Sequence, residues 1–304
     1  MHLCLRTIIY HLRNVRSLLN SRNLGTFLHR RHHSAAVAIV SQSLATLGRY
    51  DLHGRGWSPS PPGARYDLAM HVQQLEALLD HIGAGTAPHS RSILAHSMGG
   101  VLAVAYCAAH PDLIASLMLL APAGVMKAPF PGFRVAQAAL SCMGCLLSRI
   151  GDGDPPPGDF HNLNDPDVAA LSEWSLAWIR AHLSANTPVA FASSAARMPL
   201  TQTAAQVTRL AEDGSSYPVL LLTADNDPMV VIRPRDFGIY RQLGQKRLQE
   251  RVFIGAGHCF FLEQASETHE VLLSFLAEAC GGSSSRVPLP QTSPETSMIV
   301  TEVV

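Results

Sequence analysis

Three residue types in this 304-residue chain stand where short apolar runs stop: Ser97, an aspartate at 225 or 227, and His258. A serine hydroxyl is a poor nucleophile until a base removes its proton, and neutral histidine is the base available near pH 7. A buried carboxylate behind the ring fixes its tautomer and stabilises the imidazolium that forms. The order along the chain is Ser, Asp, His. Each residue alone reads equally well as a loop or turn residue, so the joint placement is what points to nucleophilic chemistry.

Three strand ends must carry these side chains. Residues 91–95 read as a short strand that leads into Ala95-His96-Ser97-Met98-Gly99-Gly100, and 98–109 follow as good helix formers before Pro111. Strand, tight turn and helix lift a hydroxyl above a sheet in the G-x-S-x-G nucleophile elbow, here with Ala95 in the first glycine place. A run over 219–224 precedes Asp225-Asn226-Asp227-Pro228, and a strand over 251–254 leads through Gly255-Ala256-Gly257 to His258. Strands at 115–120 and near Arg49, with helices over 66–82, around 234–243 and over 267–278, complete an alternation that implies a parallel sheet covered on both faces. Leu68, Val72, Leu75, Leu78, Leu79 and Ile82 make the apolar stripe of the first of these helices. Sites in such sheets form at the carboxyl ends of the strands.

From about 123 to 217 the alternation lapses. The stretch is rich in Ala, Ser, Pro and Trp, with Leu171, Trp174, Trp178 and Leu183 on one helical stripe, which reads as a helical cap packed on itself. Residues 35–47 carry apolar residues at helical spacing, giving an expected helix that ends at Gly48. Residues 1–34 are a basic leader: the first 50 residues contain no acid but seven arginines, as in a mitochondrial transit peptide, or else an N-terminus with no addressing role. Mitochondrial and cytoplasmic locations are both expected from it. After Gly281 the Gly/Ser/Pro/Thr-rich tail, 281–304, lacks the apolar residues to order itself.

Composition removes whole classes of function. The formal net charge is zero, so no basic surplus attracts nucleic acid. No apolar run is long enough for a transmembrane helix. The six cysteines are scattered, and Cys142-Met143-Gly144-Cys145 is a single C-x-x-C inside an apolar stretch, read as buried thiols rather than a metal or redox site.

Residues 34–280 resemble the α/β-hydrolase fold superfamily, in its capped serine-hydrolase branch of monoacylglycerol lipases, carboxylesterases and proline iminopeptidase-like enzymes. The likeness rests on Asp51-Leu52-His53-Gly54-Arg55-Gly56-Trp57-Ser58, the elbow around Ser97, Ala224-Asp225-Asn226-Asp227-Pro228, and Gly257-His258-Cys259-Phe260-Phe261-Leu262-Glu263. It implies a doubly wound, mostly parallel sheet over 35–280 with a helical cap, with the strands expected N-terminal to Asp51 missing or altered. It implies Ser97 as nucleophile, His258 as base and, by the spacing G-x-x-D, Asp227 rather than Asp225 as the acid. The backbone N–H of Met98 would be one oxyanion donor. The substrate would be a lipid or small acyl ester, with no cofactor or metal. The family's His-Gly loop, source of the second donor, has no counterpart upstream of Asp51. Two alternatives stay open: an aminopeptidase, whose cap acid would come from Asp165, Asp167 or Glu173, and a non-catalytic binding protein.

Overall fold

The computed structural model describes residues 7–10, 47–55, 58–81, 88–125, 135, 187–214, 216–230, 238–244 and 246–279. Four parallel strands lie in the order β3 (Arg91–His96), β4 (Ile114–Leu120), β5 (Val219–Ala224) and β6 (Leu248–Phe253). N-terminal to them, β1 (Thr7–Tyr10) and β2 (Leu47–Tyr50) form an antiparallel pair, and β1 lies against β3.

Side-chain alternation in the central strands separates two cores. Leu117 and Leu119 of β4 and Val219 and Leu221 of β5 face one side, while Met118, Leu120, Leu220 and Leu222 face the other. The first side is covered by α1 (Leu68–His81) through Leu75 and Leu79, and by α2 (Met98–Ala109) through Val101 and Val104. The second is covered by Phe260 of α6 (Phe260–Glu263), which stacks on Phe253 of β6, and by Phe275 of α7 (Ala265–Ala279). Helices on both faces make the sheet doubly wound, as the alternation implies.

Within the stretch assigned to a cap, two helices are described. α3 (Pro188–Arg197) begins at Thr187, whose hydroxyl accepts from the Ala190 N–H. α4 (Ala204–Glu212) puts Val207 and Leu210 into the same core as α2. α5 (Gly238–Arg241) buries Tyr240 there too. Trp174, Trp178, Cys142, Cys145, Asp165, Asp167, Glu173 and the tail 281–304 lie outside the described residues.

Three local expectations need correction. Leu47 and Gly48 are strand, not a helix end, because they pair with Tyr10 and Ile9. That long-range pairing also puts four residues of the expected leader into regular structure. β6 begins at Leu248 rather than 251: it is an edge strand among the described residues, and Gln249, Glu250 and Arg251 stay exposed. Their partners are polar, with Arg241 on Glu250 at 3.0 Å and Gln249 on Glu278 at 3.0 Å. A strand with two wet faces has no apolar run to announce it.

Close approach between α2 and the end of β4 depends on Gly100. A Cβ there would stand 2.5 Å from Pro122 Cβ and 3.0 Å from Pro122 Cα, on a ring that cannot rotate away. Gly100→Ala gains about 1 kcal/mol of helix propensity but overpacks this contact at a cost of about 1–3 kcal/mol. Urea unfolding is expected to show a lower midpoint for the variant; an equal or higher midpoint would mean that the contact yields freely.

Candidate active site

The geometry of the site starts from the Ser97 backbone. At the end of β3 the chain turns with Ser97 at φ 53°, ψ −123°, a left-handed conformation that a side chain occupies only when its surroundings impose it. Three backbone bonds do so. The Ser97 N–H donates to Leu120 O at 3.0 Å, and its carbonyl accepts from Gly100 N and Ala123 N, each at 2.9 Å. The hydroxyl is thereby presented at the carboxyl end of the sheet, directly before the α2 N-terminus.

His258 lies in the loop between β6 and α6, and its Nε2 is 3.0 Å from Ser97 Oγ. Its Nδ1 is 2.8 Å from Asp227 Oδ2. Because the carboxylate oxygen accepts, Nδ1 carries the proton and Nε2 is left to accept from the serine hydroxyl. Asp227 is itself fixed from the other side: its Oδ1 accepts from Met229 N at 2.8 Å and Val230 N at 2.7 Å. All three side chains are buried, so the bonds operate in a medium of low polarity, where a satisfied chain of hydrogen bonds is strong.

The two aspartates, left open by the residues alone, point in different directions. Asp227 faces the imidazole, while exposed Asp225 turns its Oδ1 to Gly255 N at 2.7 Å. Met98 is the first residue of α2 and is buried beside Ser97. At that position a backbone N–H has no acceptor within its own helix and is available to an anion. Among the described residues no group of three or more His, Cys, Asp or Glu side chains is placed to hold a metal ion, and no helix is long and apolar enough to cross a membrane.

The loop after β2 is held by the first helix and by α3. Gln74 accepts from His53 N at 2.9 Å and donates to Asp51 O at 3.1 Å. Gly54, at φ 75°, passes so close to Ala190 that a Cβ would sit 2.2 Å from that side chain. Two buried basic side chains meet here, Arg55 and His71. Burial first, then the Arg55 guanidinium and His53, hold the His71 ring down to about 3.

Two further side chains, both inside the quoted motifs but given no role there, also border the site. His96 precedes the serine, and its ring lies 4.6 Å from that of His258 and 4.8 Å from Phe261. Glu263 is buried with both carboxylate oxygens on Gly257 N, at 3.1 and 2.9 Å. In the sequence they hold fixed places in those motifs, one beside the elbow serine and one five residues past the histidine.

A family model described as serine aminopeptidase, S33 (Hydrolase_4), matches residues 26–265, most of the chain. The chain belongs to this family. A probable lysophospholipase of Arabidopsis thaliana, BODYGUARD 3, is 42% identical over 83 residues, 27% of this chain and 16% of that protein. Lipase LipV of Mycobacterium tuberculosis is 38% identical over 92 residues, 30% of either chain. The chain thus spans less than a third of the length of these curated relatives. A thermophilic esterase from Thermogutta terrifontis superposes with a TM-score of 0.60 at 19% identity, covering 81% of this chain and 84% of that one. An enol-lactonase from Burkholderia xenovorans gives 0.58 at 22% identity, covering 80% and 85%. These superpositions show the α/β-hydrolase fold that the motifs imply.

His71 gives the folded state a pH dependence of known sign. Its ring takes a proton near 6.5 when unfolded and only near 3 when folded. The unfolded chain binds the extra proton in this window, so the contribution is complete above about pH 6.5 and is lost as pH falls toward 3. His71→Gln is expected to flatten the stability–pH slope between pH 6.5 and 4 by up to about 1.4 kcal/mol per pH unit. Urea unfolding at several pH values measures it; parallel slopes for the two proteins would refute the assignment.

Proposed function

We propose that the protein is a serine hydrolase that cleaves carboxylic esters through an acyl-enzyme on Ser97. The observation that carries this reading is the continuous hydrogen-bonded line Ser97–His258–Asp227, with the nucleophile to base distance at 3.0 Å and base to acid at 2.8 Å. Lipid and small acyl esters are the substrate class, supported by the likeness to a probable lysophospholipase and a lipase.

The reaction runs in two halves. His258 Nε2 takes the hydroxyl proton as Ser97 Oγ bonds to the ester carbonyl carbon. The carbonyl electrons move onto oxygen, and that oxyanion accepts from the Met98 N–H, next to the positive end of α2. When the tetrahedral species collapses, the C–O bond to the alcohol breaks and His258 returns its proton to the leaving alkoxide. A water then repeats the sequence on the acyl-enzyme, giving its proton to His258 and its oxygen to the acid product, and Ser97 recovers its hydrogen. Asp227 stays ionised and balances the imidazolium in both halves. The bonds from Met229 and Val230 keep its carboxylate in the orientation this requires.

Amide cleavage at an N-terminal residue is the second reading, favoured by the description of the matching family. Hydrolysis of p-nitrophenyl esters against amino-acyl p-nitroanilides separates the two; the ester reading predicts turnover of the esters and little of the anilides. A fluorophosphonate probe is expected to label the intact protein and not the Ser97→Ala variant. Asp227→Asn is expected to lower kcat by about 10⁴-fold while leaving the fold in place, because the ring then takes the wrong tautomer. Folded wild-type protein that neither labels nor turns over either substrate would overturn the proposal.

A further inference from the structure

The base of the proposed reaction sits in a loop, outside any helix or strand, yet its ring must meet Ser97 and Asp227 at once. Four successive backbone groups of that loop are each tied to a different neighbour. The Gly255 N–H donates to Asp225 at 2.7 Å, and the Ala256 carbonyl accepts from Asn226 N at 3.2 Å. The Gly257 N–H donates to the Glu263 carboxylate. Finally, His258 O lies 3.1 Å from His96 Nε2. A carbonyl only accepts, so His96 donates through Nε2. The last two ties differ in kind from the first two, because both use buried side chains, His96 at 2% exposure and Glu263 at 5%. They grip the backbone on either side of the His258 Cα, and one of them belongs to the elbow itself.

We infer that His96 and Glu263 are positioning residues: together they hold the His258 backbone from both sides, so that the elbow that presents the hydroxyl also sets the distance to its base. The inference rests on the reading of Ser97 and His258 as nucleophile and base. Neither side chain exchanges a proton with substrate. Glu263 supplies two acceptor oxygens to the Gly257 N–H, which stops the Ala256–Gly257 peptide, one residue before His258, from turning over. His96 supplies a donor, and its ring fills the space between His258 and Phe261. Losing either tie lets the imidazole drift, and a misplacement of about 1 Å costs on the order of 10²-fold in rate.

The test separates the donor of His96 from its shape. His96→Phe keeps a ring between His258 and Phe261 but loses the N–H; His96→Gln keeps an N–H of similar reach and loses the ring. With p-nitrophenyl acetate as substrate, His96→Phe is expected to lower kcat by about 10- to 100-fold with KM within about twofold. His96→Gln is expected to recover most of the loss. Glu263→Gln, which keeps one acceptor, should likewise exceed Glu263→Leu. In the impaired variants the downfield proton resonance of the His258 Nδ1–H shared with Asp227 should broaden or move, whereas a merely structural change would lower the unfolding temperature and leave that signal in place. If Glu263→Leu does not fold, the two His96 variants decide alone. His96→Phe with wild-type kcat, or His96→Gln as impaired as His96→Phe, overturns the inference. Wild-type protein whose Ser97 does not label with fluorophosphonate fails earlier, and then it is the reading of the nucleophile that is wrong.

Discussion

Ser97 occupies a backbone conformation that costs a residue with a side chain on the order of 1–3 kcal/mol, and the surrounding structure is arranged to hold it there. The register of β3 on β4 sets His96 opposite Leu120, so the Leu120 carbonyl meets the Ser97 N–H. The Ser97 carbonyl in turn collects N–H groups from Gly100 and from Ala123. Those bonds require α2 to start at once and the chain after β4 to pass directly over it. The passage is open only because residue 100 has no side chain to meet Pro122. One strained serine thus depends on sheet register, a helix start and a glycine.

The imidazole and the carboxylate come from far along the sequence, and the sheet brings them in. Ala224 and Phe253 face each other across β5 and β6, so the loops that follow, which carry Asp227 and His258, emerge side by side. Further backbone bonds join those loops, from Asp225 N to Phe253 O and from Asn226 N to Ala256 O. Burying a hydroxyl, an imidazole and a carboxylate is costly unless each is bonded. Here each polar atom of the line satisfies another, which is why three hydrophilic side chains coexist buried at one sheet end. The same satisfaction gives the imidazole a defined tautomer, and chemistry at the serine needs that tautomer.

Much of this was legible in the residues. β3, β4 and β5 are covered on both faces, so their centres read as short apolar runs, and Ser97, His258 and the aspartate pair stand just past strand ends. What stayed hidden follows from non-local physics. β6 has exposed Glu250 and Arg251 on an edge, and a wet strand carries no apolar signature. Leu47 and Gly48 look like the end of a helix until Ile9 and Tyr10 pair with them. Asp225 and Asp227 are the same chemical group two residues apart, and only the direction of the turn tells which one faces the ring. His96 and Glu263 sit inside the motifs that carry the likeness, but what they hold is not legible there, because their partners are backbone groups, which leave no mark in a sequence.

In the proposed reaction the serine hydroxyl, activated by the buried imidazole–carboxylate pair, becomes covalently acylated. Rapid mixing with a p-nitrophenyl ester, quenching in acid and mapping the peptides by mass tests it most directly. The account predicts a burst of nitrophenol approaching one equivalent per folded protein, with the acyl mass on the peptide containing Ser97 and decaying on further incubation. Turnover without any acyl mass on that peptide, or with the mass on another residue, would contradict it.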